Sequence, residues 1–127
     1  MPLARTLGIR VDEYTSERVK LSLDWAPGLC TVGDILHGGV IMALADSAGG
    51  ACALLNLPDD ASGTSTIESK TNFLGAVRGG TVTATSTPLH RGRTTIVVET
   101  SITDASGKLV AKTTQTQMVL RATTSIS

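Results

Sequence analysis

The chain has 127 residues, and its 11 Lys and Arg residues balance 11 Asp and Glu residues, which gives a formal net charge of zero. Such a chain lacks the basic field that attracts nucleic acid or an anionic membrane, and we expect neither as a partner. Its three aromatic residues are too few for a base-stacking surface. The length suits one domain, and no composition break divides residues 1–127.

The N-terminal residues lack the apolar core of a signal peptide, and no uncharged apolar run reaches membrane-spanning length. Cys30 and Cys52 have no CxxC spacing, which favours buried thiols in a reducing compartment. We therefore expect a cytoplasmic protein. With only two His residues, at distant positions, we do not expect a multi-histidine metal site, and there is no P-loop or GxGxxG motif to indicate a nucleotide cofactor.

Apolar and polar residues alternate within residues 8–25, which predicts a first strand that ends at the Ala-Pro-Gly sequence of residues 26–28. The one convincing helix follows over residues 38–55, and Pro58 stops it. This helix is apolar on every side, which predicts that it is buried on every side.

Four segments after the helix have strand composition, and the breaks between them are rich in Gly: residues 64–74, 81–89, 94–104 and 109–120. Consecutive hairpins predict an antiparallel meander, wrapped around the helix in an α+β architecture. Nothing alternates as β-α-β-α, which excludes a doubly wound nucleotide fold. We expect the tail after Arg121 to be frayed.

Asp46 is the only charged side chain between His37 and Asp59, and it lies in the middle of the apolar helix. Burial of an unpaired carboxylate is costly, so such a group usually has a partner, a raised pKa or a water-filled cavity. Its neighbours on the same helical face provide no ion pair and admit a ligand or another subunit: Met42, Ala43, Gly49 and Gly50. The alternative is a structural Asp bonded to the sheet.

The sequence His37-Gly38-Gly39 opens the helix. Glycines at a helix start cost stability, which indicates that something lies against the backbone there. The free N–H groups and the positive end of the helix dipole suit a developing oxyanion. The alternative is a simple capping turn in which His37 is a polar cover.

Residues 88–94 contain the one compact basic cluster, in which Arg91 and Arg93 flank Gly92 next to His90. Guanidinium groups pair with phosphate in a bidentate manner, so this turn can clamp a phosphate. Other basic side chains that could contribute are Lys70 and Arg78. The alternative is a solvated hairpin tip.

In this order the motifs resemble the hotdog-fold thioesterases of the phenylacetate-degradation and menaquinone-pathway type. The matching stretch runs from His37 to Asp46, with an HGG motif and a carboxylate nine residues after the His. The likeness covers roughly residues 32–120. It continues through Thr66-Ile67-Glu68, Asn72-Phe73-Leu74, Val77-Arg78-Gly79-Gly80, the basic turn and Gly107-Lys108-Leu109-Val110-Ala111.

This resemblance implies an acyl-CoA thioesterase in which the Gly38 N–H and His37 hold the thioester carbonyl and Asp46 acts as general base or nucleophile. It implies a homo-oligomeric protein, a dimer or a dimer of dimers, with its site at a subunit interface and no cofactor beyond the CoA of its substrate. The implied substrate-binding residues are Thr31, Gly39, Met42, Gly50, Thr66 and Phe73. The implied CoA-binding residues are Arg78, His90, Arg91, Gly92 and Arg93.

Three departures concern the substrate and the rate more than the reaction. Thr31 stands where relatives often carry Asn or Gln, and Gly50 stands where some carry Ser or Thr. One subgroup has Glu in place of Asp46. A pocket lined by Gly, Ala, Met42 and Phe73 suits an aryl or a medium-chain acyl group.

Two other functions stay open at this point. A hotdog hydratase or dehydratase would pair a catalytic His with a carboxylate, although the spacing between HGG and Asp fits thioesterases better. A non-catalytic acyl-CoA-binding protein would keep the fold without turnover.

Overall fold

A six-stranded antiparallel sheet and one long helix make up most of the computed structural model, which describes residues 1–122. The helices are α1 (Pro2–Leu7) and α2 (Gly38–Leu54), with a short 3-10 turn at Pro27–Leu29. The strands are β1 (Arg10–Tyr14), β2 (Val19–Asp24), β3 (Gly63–Phe73), β4 (Thr81–Arg91), β5 (Thr95–Thr103) and β6 (Leu109–Leu120). The predicted α+β class is confirmed.

The strand order in the sheet is β1-β2-β4-β5-β6-β3, so the predicted meander is correct only from β4 to β6. Strand β3 pairs with β6 at the edge of the sheet, and β4 pairs with β2. Most β3 side chains are exposed on both faces. An alternating pattern of apolar and polar residues specifies the pairing of a strand only when one face of that strand is buried. The sequence of β3 therefore could not indicate which strand it pairs with.

The segment of residues 8–25 is a hairpin of two strands instead of the one strand predicted. Thr15 and Arg18 exchange backbone hydrogen bonds and close the turn between β1 and β2. The preceding helix α1 was not predicted either, although Pro2 at its start and Gly8 at its end are ordinary helix signals. Helix α1 buries no residue, so it has no apolar periodicity that could reveal it.

Helix α2 packs its apolar residues against the inward face of the sheet. Leu44, Ala45, Ala48 and Cys52 of α2 are fully buried. They face a layer of buried strand residues that includes Leu21, Leu23, Val82, Ile96, Val98 and Ile102. These contacts remove most of the helix surface from water and provide the main hydrophobic stabilisation of the fold.

The prediction that α2 is buried on every side is wrong for the single chain. Met42, Asp46 and Leu54 are exposed, and with Gly50 they form an open stripe one helical turn apart. The sheet contacts α2 through strands β2 to β6 and leaves this stripe uncovered. Asp46 therefore faces outward and does not lie in the core.

The two edges of the sheet differ in how they are protected. Strand β1 is short and carries the ion pairs Arg10–Asp24 and Arg18–Glu13, which hinder pairing with another strand. Strand β3 has 11 residues and exposes Ile67 and Phe73. Ile67 sits in a β-bulge, because Thr66 pairs with Gln117 and Glu68 with Thr116.

Two further predictions concern the C-terminal tail and membrane-spanning segments. The frayed tail was predicted after Arg121, and residues 123–127 of that tail lie outside the described residues. Within residues 1–122, no helix is long and apolar enough to cross a membrane.

Candidate active site

Asp46 is held by two side chains that reach it from the sheet. Thr66 on β3 donates a hydrogen bond from Oγ1 to Asp46 Oδ1 over 3.1 Å, and Gln115 on β6 donates from Nε2 to the same oxygen over 3.2 Å. Asp46 Oδ2 accepts no hydrogen bond from the described residues. One oxygen of the carboxylate is therefore anchored, and the other is available for chemistry.

A second pair of side chains holds Thr66 in turn. Gln117 Nε2 donates to Thr66 Oγ1 over 2.5 Å, and Thr64 Oγ1 donates to Gln117 Oε1 over 3.0 Å. Gln117 is buried, so its amide is shielded from competing water. A chain of polar groups thus runs from β3 and β6 to the exposed carboxylate.

A groove of about 660 Å³ opens beside this carboxylate, within the size range of small-molecule sites. Its floor is formed by α2 and β3, and its far wall is formed by α1 and Tyr14. A Cβ atom added at Gly50 or at Gly63 would meet nothing within 4 Å, so both glycines border open space. The lining side chains and backbone positions are Met1, Pro2, Leu3, Ala4, Tyr14, Asp46, Ser47, Gly50, Ala51, Leu54, Gly63, Thr64, Thr66 and Gln117.

The N-terminus of α2 forms as the His-Gly-Gly motif predicts, with His37 as the N-cap residue. His37 Nδ1 accepts a hydrogen bond from the Gly39 N–H over 2.8 Å, so this amide is already occupied. The Gly38 N–H has no acceptor among the described residues and remains free to bind a ligand oxygen. His37 therefore has the capping contact that the alternative interpretation described.

Phe73 covers the same end of the helix. A Cβ atom at Gly38 would lie 3.2 Å from the Phe73 ring, so the glycine lets the ring lie directly against the helix start. Thr31 is exposed in the loop that precedes α2, and its N–H donates to the Ile35 carbonyl. Met42 is exposed between the two regions, on the open stripe.

Gly38 and Asp46 are too far apart on one helix to act on one carbonyl group. Eight residues of α-helix span about 12 Å. A thioester carbonyl bond is about 1.2 Å long, so an oxyanion donor and an attacking group that each approach to about 3 Å lie at most roughly 7 Å apart. A water molecule between the carboxylate and the carbonyl carbon extends this limit to roughly 10 Å. The short Asp side chain does not close this gap.

Within one chain, Arg78 lies apart from the other residues of the predicted phosphate cluster. Arg78 precedes β4, whereas His90, Arg91 and Arg93 lie at its other end, about 30 Å away along the strand. Arg78 is next to Val77, whose carbonyl accepts from Leu36 N–H just before α2 begins. Arg78 therefore lies near the N-terminus of α2.

The basic turn of His90, Arg91, Gly92 and Arg93 lies towards the C-terminal end of α2. Asn56, just after α2, donates a hydrogen bond to the Ser16 carbonyl in the β1–β2 turn, and Val19 at the start of β2 pairs with Ser86 of β4. The end of β4 that carries the basic turn therefore lies on the side of the last turns of α2. Burial raises the pKa of the Cys52 thiol in those turns, and the positive charge of Arg91 acts in the opposite direction. Gly92 is required at the tip, because a Cβ atom there would lie 2.6 Å from both His90 Nε2 and the Thr95 carbonyl oxygen.

Gln115 and Gln117 were not predicted as site residues. Both lie on the inward face of β6 with the buried Thr113, in a strand whose two faces are equally polar in sequence. Only the pairing of β6 with β3 brings them to Asp46, and that pairing was not predicted. Within residues 1–122 no three His, Cys, Asp or Glu side chains lie close enough together to hold a metal ion.

The sequence profile of the thioesterase superfamily matches residues 33–111, which is more than half of the chain. The chain belongs to the thioesterase superfamily. Among its relatives is the 1,4-dihydroxy-2-naphthoyl-CoA hydrolase of Listeria monocytogenes, 32% identical over 111 residues that cover 87% of this chain and 89% of that protein.

Solved structures of related proteins agree with this assignment. An esterase candidate from Mycobacterium tuberculosis superposes with a TM-score of 0.93 at 27% identity, covering 98% of this chain and 100% of that one. A thioesterase from Haemophilus influenzae superposes with a TM-score of 0.89 at 26% identity, covering 98% and 87%. The predicted hotdog fold is confirmed, and this thioesterase superfamily member is a thioester hydrolase.

The cap at His37 gives a first prediction. His37→Ala removes the acceptor for the Gly39 N–H, so we expect the free energy of unfolding in urea to fall by about 1 kcal/mol. His37→Asn keeps an N-cap acceptor and should unfold close to the wild type. If the role of His37 is to hold the helix start, this Asn variant also keeps most thioester hydrolysis. A stable but inactive Asn variant would instead indicate that the imidazole ring takes part directly.

Proposed function

We propose that this enzyme hydrolyses an acyl-CoA thioester to the free acid and CoA, with Asp46 as the catalytic carboxylate. The observation that carries the proposal is the asymmetry of this side chain. Its Oδ1 is fixed by Thr66 and Gln115, while its Oδ2 is free beside a groove large enough for an acyl group.

Two routes are compatible with this geometry. In the first, Oδ2 takes a proton from water as the water oxygen attacks the carbonyl carbon, and the C–S bond then breaks to release the CoA thiolate. In the second, Oδ2 attacks the carbonyl carbon itself and forms a mixed anhydride, which water hydrolyses after the thiolate has left. Neither route requires a metal ion or a cofactor.

The active site is formed by two copies of the chain. The Gly38 N–H of one chain holds the thioester oxygen, and Asp46 of the other chain acts on the carbonyl carbon, because one helix separates these groups by about 12 Å. The unpaired edge of β3 supports this arrangement. An edge of 11 residues that exposes Ile67 and Phe73 is suited to pair with its own copy and so form a symmetric dimer. Association of dimers into a tetramer stays a prediction.

The same arrangement accounts for the divided basic residues. Arg78 lies near the Gly38 end of α2 and Arg91 lies towards the other end, so the two guanidinium groups of one chain are far apart. In a dimer, the pocket that takes Gly38 from one chain and Asp46 from the other also draws on both basic regions. We assign the phosphates of CoA to the turn of His90, Arg91, Gly92 and Arg93, with Arg78 from the opposite chain.

The groove favours an apolar acyl group, either aryl or of medium chain length. Beyond the carboxylate, its lining is apolar on α1 and on the last turns of α2. The relative from Listeria monocytogenes, a 1,4-dihydroxy-2-naphthoyl-CoA hydrolase by name, supports an aryl group. The free thiols of Cys30 and Cys52 are in keeping with a reducing cytoplasm.

Asp46→Asn tests the catalytic assignment. The variant keeps an oxygen for the hydrogen bonds from Thr66 and Gln115, so it should fold, but it cannot act as a base. We expect a loss of at least about 10²-fold in kcat. Thiol release with a colorimetric reagent, over a panel of aryl- and acyl-CoA esters, measures it. The matched control is Asp34→Asn, in the exposed loop before α2, which should retain wild-type hydrolysis.

Each other outcome of this assay has a clear meaning. Near-normal hydrolysis by Asp46→Asn would refute the assignment. Water addition to an enoyl-CoA without thiol release would indicate a hydratase. Binding of CoA esters by a wild-type protein that hydrolyses none of them would indicate a binding protein.

A complementation experiment tests the two-chain active site. Gly38→Pro removes the N–H donor at the first helical position, which tolerates proline, and the exposed Phe73 ring has room to shift. Inactive Gly38→Pro and Asp46→Ala proteins are mixed, dissociated and reassociated. Half of the random dimers then carry both variants, and each of these has one intact site, so about a quarter of wild-type activity should return. No recovery, with mixed dimers verified by mass spectrometry, would contradict a shared site.

Arg91→Ala and Arg93→Ala test the CoA site. Loss of a guanidinium that binds phosphate should raise the apparent KM for CoA esters roughly 10-fold or more, and leave esters of a short thiol unaffected. Arg5→Ala, on the exposed face of α1, serves as a control for loss of positive charge. Equal effects on both classes of ester would argue against phosphate binding at this turn.

A further inference from the structure

Gln115 combines full burial with an incomplete set of hydrogen bonds. None of its surface is accessible to solvent, and its Nε2 donates to Asp46 Oδ1. Its Oε1 has no partner among the described residues. A buried, unpaired amide oxygen is destabilising, because it has lost its hydrogen bonds to water and gained none in the protein. An apolar side chain of similar size would give a more stable core at this position.

The helix residue that faces Gln115 is also unfavourable for stability. Gly49 lies inside α2, where glycine is less favourable than alanine because it loses more backbone entropy on folding. A Cβ atom at Gly49 would collide with Gln115 Oε1 and lie 2.5 Å from Gln115 Cδ. The helix therefore lacks a side chain at the point where the amide passes beneath it. Two destabilising residues, Gly49 and Gln115, are therefore in contact with each other, and Gln115 is hydrogen-bonded to Asp46.

We propose that Gln115 is a positioning residue for catalysis, seated beneath Gly49 so that its amide fixes the Asp46 carboxylate with Oδ2 towards the groove. The inference rests on the proposed function of Asp46 and adds to it the group that sets the orientation of the carboxylate. Gln115 itself is buried and does not touch the substrate.

An anchor of this kind is needed because Asp46 lies on the open stripe of α2. The terminal torsion of an Asp side chain is broad, and an exposed Asp also changes its χ1 rotamer readily. Thr66 provides a second donor, but it is exposed on the edge strand. Gln115 is the donor that water does not reach, so it keeps the carboxylate in one orientation throughout the reaction.

Gln115→Met is the direct test. Methionine has similar length, cannot donate a hydrogen bond, and does not leave a buried oxygen unpaired. We expect kcat to fall roughly 10- to 100-fold, as for loss of a hydrogen bond to a charged group. KM should change less than about twofold, because the amide acts on Asp46 and not on the bound ester. The melting temperature should stay equal or rise.

Thr113→Val is the matched control. Thr113 is buried on the same face of β6, two residues before Gln115, and its hydroxyl is hydrogen-bonded to Thr71 over 2.8 Å, away from Asp46. Its replacement removes a buried polar contact from the same strand. It should lower the melting temperature and leave kcat unchanged, the opposite of the pattern for Gln115→Met.

Gly49→Ala tests whether the space beneath Gly49 is needed to position the Gln115 amide. The added methyl displaces Gln115, so kcat should fall although alanine favours the helix. In a Gln115→Ala background the same methyl enters space that the amide has left. There it should raise stability and cause no further loss of kcat, so the two effects on kcat do not add.

These measurements separate the inference from the proposed function. Wild-type kcat in Gln115→Met, or additive losses in the Gly49 and Gln115 cycle, would overturn the positioning role if Asp46→Asn is inactive. Substantial hydrolysis by Asp46→Asn would overturn the proposed function itself. A crystal structure of Gln115→Met gives a readout independent of activity: we expect the Asp46 carboxylate in more than one orientation, and a single unchanged orientation would overturn the inference.

Discussion

The rigidity of α2 is the constraint on which the rest of the structure depends. Its 17 residues form one helix about 25 Å long that packs against the sheet. The free Gly38 N–H at its start and the Asp46 carboxylate in its middle therefore stay at a fixed distance. In the proposed mechanism a second chain supplies one of the two groups, and the open stripe of α2 and the free edge of β3 are the surfaces that would receive it.

The inward face of β6 serves two purposes that conflict. Towards the core it packs Val110, Ala111 and Val119 in the usual apolar manner, whereas beneath Asp46 it presents Gln115 and Gln117. Buried amides weaken a core unless every polar atom is paired, and here one oxygen is not. The core is therefore less stable at this point than an apolar core would be, and this is the point at which Gln115 contacts the exposed carboxylate of Asp46.

The sequence predicted the parts of the site that depend on neighbours along the chain. The His-Gly-Gly start of α2, the extent of that helix and the hairpin strands β4 to β6 follow from local patterns, and α2 begins at Gly38 as expected. Three features depend on contacts between distant segments and were missed. These are the place of β3 beside β6, the amide of Gln115 under Gly49, and the separation of Arg78 from the basic turn by the length of β4. In each case the sequence contains the residues but does not indicate the distances between them in the folded chain.

The fixed spacing along α2 has a consequence for engineering. If each pocket draws one half from each chain, no substitution in a homodimer alters one pocket alone, because symmetry copies it to the other. A tandem fusion of two copies would break this symmetry. Its two halves could carry different sequences, so one pocket could be reshaped for a new ester while the other kept the native reaction as an internal reference.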